Sequence, residues 1–198
     1  MKTKNINNKM QAVYRYFPKT KEELAEIIKV EVDRKGWNCN LNHIDVSQIT
    51  DMSYLFGYSD DNIYDLYQFN GDISKWNVSN VINMQCMFFG NPDFNGNISN
   101  WDVSRVKNMS WLFCQTKFNK DISEWDVSNV ESMYSMFKSS EFNGDISKWD
   151  VSKVKYMKCM FSNSEFNKDI SKWKINTNCN KEYMFDCCPI KKEFKPKD

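Results

Sequence analysis

"DISEWDVSNVESMYSMFKSSEFNGDISKWDVSKVKYMKCMF", residues 121–161, says nearly the same thing twice. The second copy starts 24 residues after the first, so Ile122 and Ile146, Trp125 and Trp149, Val127 and Val151, Met133 and Met157, and Phe137 and Phe161 fall in matching places. Self-similarity at a fixed period marks an array whose units cannot bury an apolar face alone and must stack to complete a core. Outward from this stretch, Trp76, Trp101, Trp125, Trp149 and Trp173 are separated by 25, 24, 24 and 24 residues. A copy without tryptophan stands earlier in "LNHIDVSQITDMSYLF", residues 41–56, and a degraded one ends the array between Ile170 and Phe185.

Each unit reads I-x-x-W-x-V-x-x-V-x-x-M-x-x-M-F. The W-x-V alternation has the period of a strand, and V-x-x-M-x-x-M-F has the spacing of a short helical turn. Ser47, Ser79, Ser104, Ser128 and Ser152 stand between the two periods, where a hydroxyl can cap a helix, and Ser128 with Glu131 makes a capping box. The expected fold class is an α/β repeat, a solenoid of about six 24–25-residue turns, each a short parallel strand plus a short helical turn.

Loop residues repeat too. Phe69, Phe94, Phe118, Phe142 and Phe166 are each followed by asparagine, with Asp72, Asp121, Asp145 and Asp169 nearby. A calcium-binding coil is one reading; an internal asparagine ladder that satisfies loop backbone groups is the other. The ladder is the simpler, because calcium takes about six to eight oxygens and each turn offers one acidic group at that place.

The ends differ from the middle. Thr20 and Glu23 form a capping box, Leu24, Ile27 and Ile28 share one face, and Gly36 is a stop signal, so a helix is expected to lid the first turn. A membrane-binding amphipathic helix is the alternative, but its polar face carries Glu22, Glu23, Glu26 and Glu31 with few lysines. At the other end "CCPIKKEFKPKD" leaves the register. The boundaries are therefore a helical cap at 1–40, the array at 41–189 and a tail at 190–198.

Composition sets the functional class. Lys plus Arg total 27 against 26 Asp plus Glu, a balance that recommends neither nucleic acid nor an anionic membrane as partner. No apolar run is long enough for a transmembrane segment or a signal peptide, so the expected location is cytoplasmic. Seven cysteines without a CxxC pair read as reduced thiols. The single histidine, His43, lies four residues from Cys39, but one Cys-His pair without an orienting group is weak grounds for catalysis, and a surface histidine is the plainer reading. With no P-loop, GxGxxG or HExxH, neither an enzyme nor a cofactor or metal site is expected. The five periodic tryptophans could form a stacking platform for bases or sugars; their place between Ile and Val makes them a buried ladder instead.

Binding should reside in what varies. The outward columns carry Glu124 and Lys148, and the stacked Asp102, Asp126 and Asp150, which need either Lys and Ser neighbours or a basic partner or cation to offset their repulsion. Trp111 occupies a column whose other members are Tyr54, Cys86, Ser135 and Cys159. One large insertion, "GYSDDNIYDLYQ" at residues 57–68, carries Tyr58, Asp60, Asp61, Tyr64, Asp65 and Tyr67, either as an acidic-aromatic surface suited to a basic patch on a protein or as a tolerated loop with no partner. These twelve residues form the candidate binding set.

The stretch "FNGDISKWDVSKVKYMKCMF" resembles the BspA-like leucine-rich repeat surface proteins, in particular the mycoplasma-type lipoprotein repeat family of unknown function, over Leu41 to about Phe185. That resemblance implies a right-handed leucine-rich-repeat solenoid, no catalytic residues, and roles in adhesion and host-protein binding at a bacterial or protist surface. The expected function is a non-enzymatic, monomeric scaffold for protein–protein interaction through the outward columns and the insertion. A surface adhesin or structural surface protein binding matrix or glycan is the alternative.

Overall fold

Asp126 to Val130 holds the key to the architecture. Asp126 Oδ1 accepts the Ser128 N–H at 3.0 Å, and the Val130 N–H donates to the Val127 carbonyl at 2.9 Å. The two bonds close a β-turn whose first and fourth residues, both valines, are buried. Asp121 to Trp125 repeats the device: Ser123 N–H to Asp121 Oδ1 at 2.9 Å, and Trp125 N–H to the Ile122 carbonyl. So does Asn108 to Leu112, with Ser110 N–H on Asn108 Oδ1. Each 24-residue unit is thus built from pentads of an Asp or Asn, an apolar residue, two free positions and a second apolar residue.

The computed structural model describes residues 14–60 and 64–197. Among them the regular elements are one α-helix, α1 (Lys21–Lys35), and a 3₁₀ turn at Lys192–Phe194; there is no strand. Pairing is by isolated parallel bridges one residue wide, from Asp51 to Asn83, Asn108, Ser132, Tyr156 and Asn180 in succession. The expected α/β leucine-rich-repeat solenoid of strand and helical turn is overturned by this. The three-residue apolar spacing belongs to consecutive β-turns, which place positions i and i+3 on one side as a helix does.

Hydrogen bonding explains why no helix forms there. Ser128, expected to cap one, gives its own N–H to Asp126, and the Glu131 N–H goes to the Lys107 carbonyl of the preceding repeat. Met133, Ser135, Phe137 and Ser139 donate to Tyr156, Lys158, Met160 and Ser162 of the next repeat at 2.8–3.0 Å. Ser135 and Ser139 are also left-handed (φ 51 and 54), as are Tyr54, Cys86, Trp111, Cys159 and Tyr183 at the position of Ser135. Left-handed residues break any run of i to i−4 bonds.

Between these ribbons lies a core of stacked rings. Phe88, Phe113, Phe137, Phe161 and Phe185 form one column, neighbours 5.7–5.8 Å apart. Phe94, Phe118, Phe142 and Phe166 form a second, each 3.8–4.2 Å from its partner in the first. The five periodic tryptophans are 3–4% exposed, and each spends its indole N–H on the preceding repeat: Trp76 on the Leu41 carbonyl, Trp101 on Ile73, Trp125 on Ile98, Trp149 on Ile122, Trp173 on Ile146. An asparagine rail runs beside them, with Asn70, Asn95, Asn119 and Asn143 Oδ1 each accepting the N–H of the next asparagine at 2.9–3.1 Å. Those oxygens are engaged by backbone N–H groups.

The helix α1 begins at Thr20, whose hydroxyl accepts the Glu23 N–H, and ends at Gly36, where φ is 85 and the N–H returns to Val32. Leu24, Ala25, Ile28 and Val32 close the first repeat. Beneath the helix Glu31 is fully buried. Tyr16 Oη donates to it at 3.1 Å and Arg34 Nη2 at 2.7 Å, Lys35 pairs with it, and His43 Nε2 lies 3.3 Å away. His43 is therefore half-buried against the cap, neither a surface histidine nor a partner of Cys39. Burial pushes the Glu31 carboxyl up, but the bonds from Lys35 and Tyr16 and the charges of Lys35 and Arg34 hold it at about 2.

Two measurements check these assignments. Trp125→Phe removes the indole bond to the Ile98 carbonyl, which keeps the Trp101 N–H, and opens space beside the ring stack; it is expected to cost roughly 2 kcal/mol in denaturant unfolding. A carboxyl depressed on folding stabilises above its unfolded pKa and loses that contribution as the pH falls through its folded value. Between about pH 4.5 and pH 2 the wild type should lose roughly 2–3 kcal/mol that Glu31→Gln, already lacking it at neutral pH, does not. Parallel acid profiles for the two chains would refute the Glu31 assignment.

Candidate functional site

The ribbon that carries M-x-x-M-F has a left-handed corner whose side chain ranges from buried at Cys86 and Ser135 to exposed at Tyr54 and Tyr183. In the third repeat that corner is Trp111 (φ 61), half-buried. Phe89 meets it edge-on at 5.7 Å, Tyr134 lies tilted at 5.3 Å, and Lys138 Nζ stands 5.8 Å from its ring centroid. The three rings come from three successive repeats and share one half-exposed surface.

The insertion adjoins it. Gly57, where the insertion starts, is a close approach: a Cβ there would sit 2.1 Å from the Cys86 carbonyl oxygen. Tyr58 then gives its N–H to the Phe89 carbonyl at 2.7 Å, stacks edge-on with Tyr67 at 5.6 Å, and donates its hydroxyl to Asp60 Oδ1 at 2.7 Å. Asp65 is exposed and left-handed (φ 51). Tyr64 turns toward α1 and closes a cleft of ≈ 200 Å³ with Lys21, Ala25, Tyr54 and Leu55. Burial, with the Glu26 and Glu22 carboxylates nearby, pushes its phenol up. Asp61 lies outside the described residues.

The remaining candidates sit on the pentad corners rather than on this ribbon. Asp102, Asp126 and Asp150 are exposed, yet each accepts the N–H of Ser104, Ser128 or Ser152 at 3.0–3.1 Å and so fixes a turn. The serine hydroxyl and N–H hold Asp126 and Asp150 below the usual carboxylate range, and Lys153 adds to this at both. Serine and lysine thus offset the repulsion of the stacked carboxylates. Glu124 and Lys148 pair with each other at 3.0 Å with both side chains 73% exposed, a solvent-screened contact of little energetic weight.

Phe89, Tyr134 and Lys138 were outside the sequence-derived set. Their columns do vary from repeat to repeat, which is the signal that could have found them. A basic groove of ≈ 690 Å³ was also missed, lined by Arg105, Lys107, Lys153 and Lys155 around Glu131. Its cations are largely engaged within the array: Arg105 bonds Asn80, Lys153 bonds Asn129, and Lys155 bonds Glu131 at 2.6 Å. Among the described residues no three His, Cys, Asp or Glu side chains are placed to hold a metal, and no helix is long and apolar enough to cross a membrane. What the arrangement offers is a surface of aromatic anchors with Lys138 beside them.

No curated protein and no solved structure matches the chain. A family model described as "Mycoplasma protein of unknown function, DUF285" matches it twice, over residues 27–141 and 104–195, without singling out the BspA-like leucine-rich repeat proteins. The overlapping matches suit a repeated unit and together span most of the sequence, and the chain belongs to that family.

Proposed function

We propose that the chain is a non-enzymatic scaffold that binds another protein through the aromatic face formed by Tyr58, Tyr67, Phe89, Trp111 and Tyr134. The half-exposed cluster around Trp111 carries the reading. Trp and Tyr are the side chains that dominate protein interfaces when held rigid and only partly covered, and here the stack fixes them without needing them for its own core. Chemistry is not part of the proposal. Burial pushes the Cys39, Cys86 and Cys179 thiols up and Cys114 up to about 12, which disfavours the reactive thiolate, and His43 is engaged beneath the cap.

The functional half of the BspA-like resemblance, display and adhesion at a cell surface, is the second setting in which such a face would act. Protease treatment of intact cells separates the two, since a displayed chain is clipped and an internal one is spared.

Trp111→Gly relieves a left-handed tryptophan and removes the anchor, so unfolding should shift by less than about 1 kcal/mol. Affinity capture from the native cell should recover a protein with the wild-type chain and lose it with Trp111→Gly. Equal recovery with both chains would refute the aromatic face as the binding site.

A further inference from the structure

Along the aromatic face the rings are set across one another rather than stacked. Tyr58 and Tyr67 meet at 90°, Phe89 and Trp111 at 88°, and Trp111 and Tyr134 at 59°. In the phenylalanine column that runs from Phe88 to Phe185, by contrast, neighbours lie at 2–13°. Successive bases or sugar rings need a run of parallel faces to stack on, and this row alternates faces with edges.

The backbone beneath the rings is already spent. Cys86 and Gly90 give their N–H groups to the Ser110 and Cys114 carbonyls, and Trp111 and Gln115 give theirs to Tyr134 and Lys138. The rung of Trp111 is therefore paired on both sides, and a strand has no edge there to join. A partner must bring a backbone that needs none, which leaves an α-helix or a polyproline II segment. A helix hides its carbonyls, whereas polyproline II keeps them outward and solvated, where the Tyr67 and Tyr134 hydroxyls can donate to them. Length agrees: from Tyr58 to Tyr134 the row crosses three steps of about 4.8 Å, roughly 14 Å, or about five residues at ~3.1 Å each. Charge distinguishes the two ends. Asp60 and Asp65 are exposed at the insertion and form no ion pair among the described residues, while Lys138 stands over Trp111. The bond to Asp60, with the charges of Asp60 and Asp65, pushes the Tyr58 phenol up.

We infer that the aromatic face docks a proline-rich segment of a partner protein in polyproline II form, with a basic residue at the end that lies toward the insertion. This occupant presupposes the aromatic face as the binding site. Proline rings pack against the faces and edges of tyrosine and tryptophan, and a segment held extended by its own prolines loses little freedom on docking. An arginine at its end meets Asp60 and Asp65.

The probe is a fluorescein-labelled peptide of about seven prolines with an arginine at each end, titrated into the full chain by fluorescence anisotropy; a second peptide carries alanine in place of every proline. Saturation is expected below about 1 mM, with the alanine peptide weaker by at least about tenfold. Trp111→Gly should weaken the proline peptide by at least about tenfold. The double variant Asp60→Asn/Asp65→Asn, in which asparagine suits the left-handed backbone of Asp65 (φ 51), should weaken it by about threefold or more, and not when glutamine replaces the terminal arginines. Four results would overturn the inference: no saturable binding, equal binding of the alanine peptide, binding unmoved by Trp111→Gly, or displacement of the proline peptide by a chito-oligosaccharide. If capture from the native cell depends on Trp111 while the peptide fails, the aromatic face stands as a binding site and its proline-rich occupant falls.

Discussion

One local bond organises the molecule: an Asp or Asn side-chain oxygen taking the N–H two residues on. It closes a turn, the turn puts the residues after it and three beyond on the buried side, and the flanking backbone is left free to bond the next repeat. Asp121, Asp126 and Asn108 are turn formers first, which is why surface carboxylates recur in register without forming a site. Ser132 and Tyr156 stand where the third Asx would be in their repeats, yet the bridge between them persists. The rungs on either side hold register where one turn is weakly specified.

The burial pattern was legible from the text alone, because period and column identity decide which residues face in. Ile122, Trp125, Val127, Val130, Met133 and Phe137 are all at 3% exposure or less. The backbone that carries them was not. Apolar residues three apart satisfy a helical turn and a β-turn equally, and serines before the run mimic caps. The discriminating sign was the acidic or amide residue immediately before each apolar pair, read at first as an outward decoration. Glu31 was similarly opaque: on a helical projection it belongs to the polar face, and Tyr16, which donates to it, and His43, which lies beside it, come from outside the helix.

The candidate site divides along the same line. Trp111 could be singled out because its column changes identity, and the insertion because it breaks the period. Tyr134 varies against Lys158 in the sequence, but Phe89, and the contact of both with Trp111, became visible only when the ribbon geometry showed that adjacent columns of successive repeats touch. The Asp stripe failed to converge on the aromatic residues because it belongs to a different corner of each turn.

The paired phenylalanine columns have a consequence for how the chain can change. Within a repeat the two rings are in contact, 3.8 Å apart for Phe88 and Phe94 and 4.1 Å for Phe113 and Phe118, although the first pair is six residues apart in sequence and the second five. Phe56 and Phe69, thirteen residues apart, still stack at 4.5 Å. The rings act as a clasp: whatever length of chain departs from one must come back to the other, and the turns before and after never register the difference. Variation in length is thereby confined to a single seam along the molecule, and new surface can be grown there without re-inventing the stack.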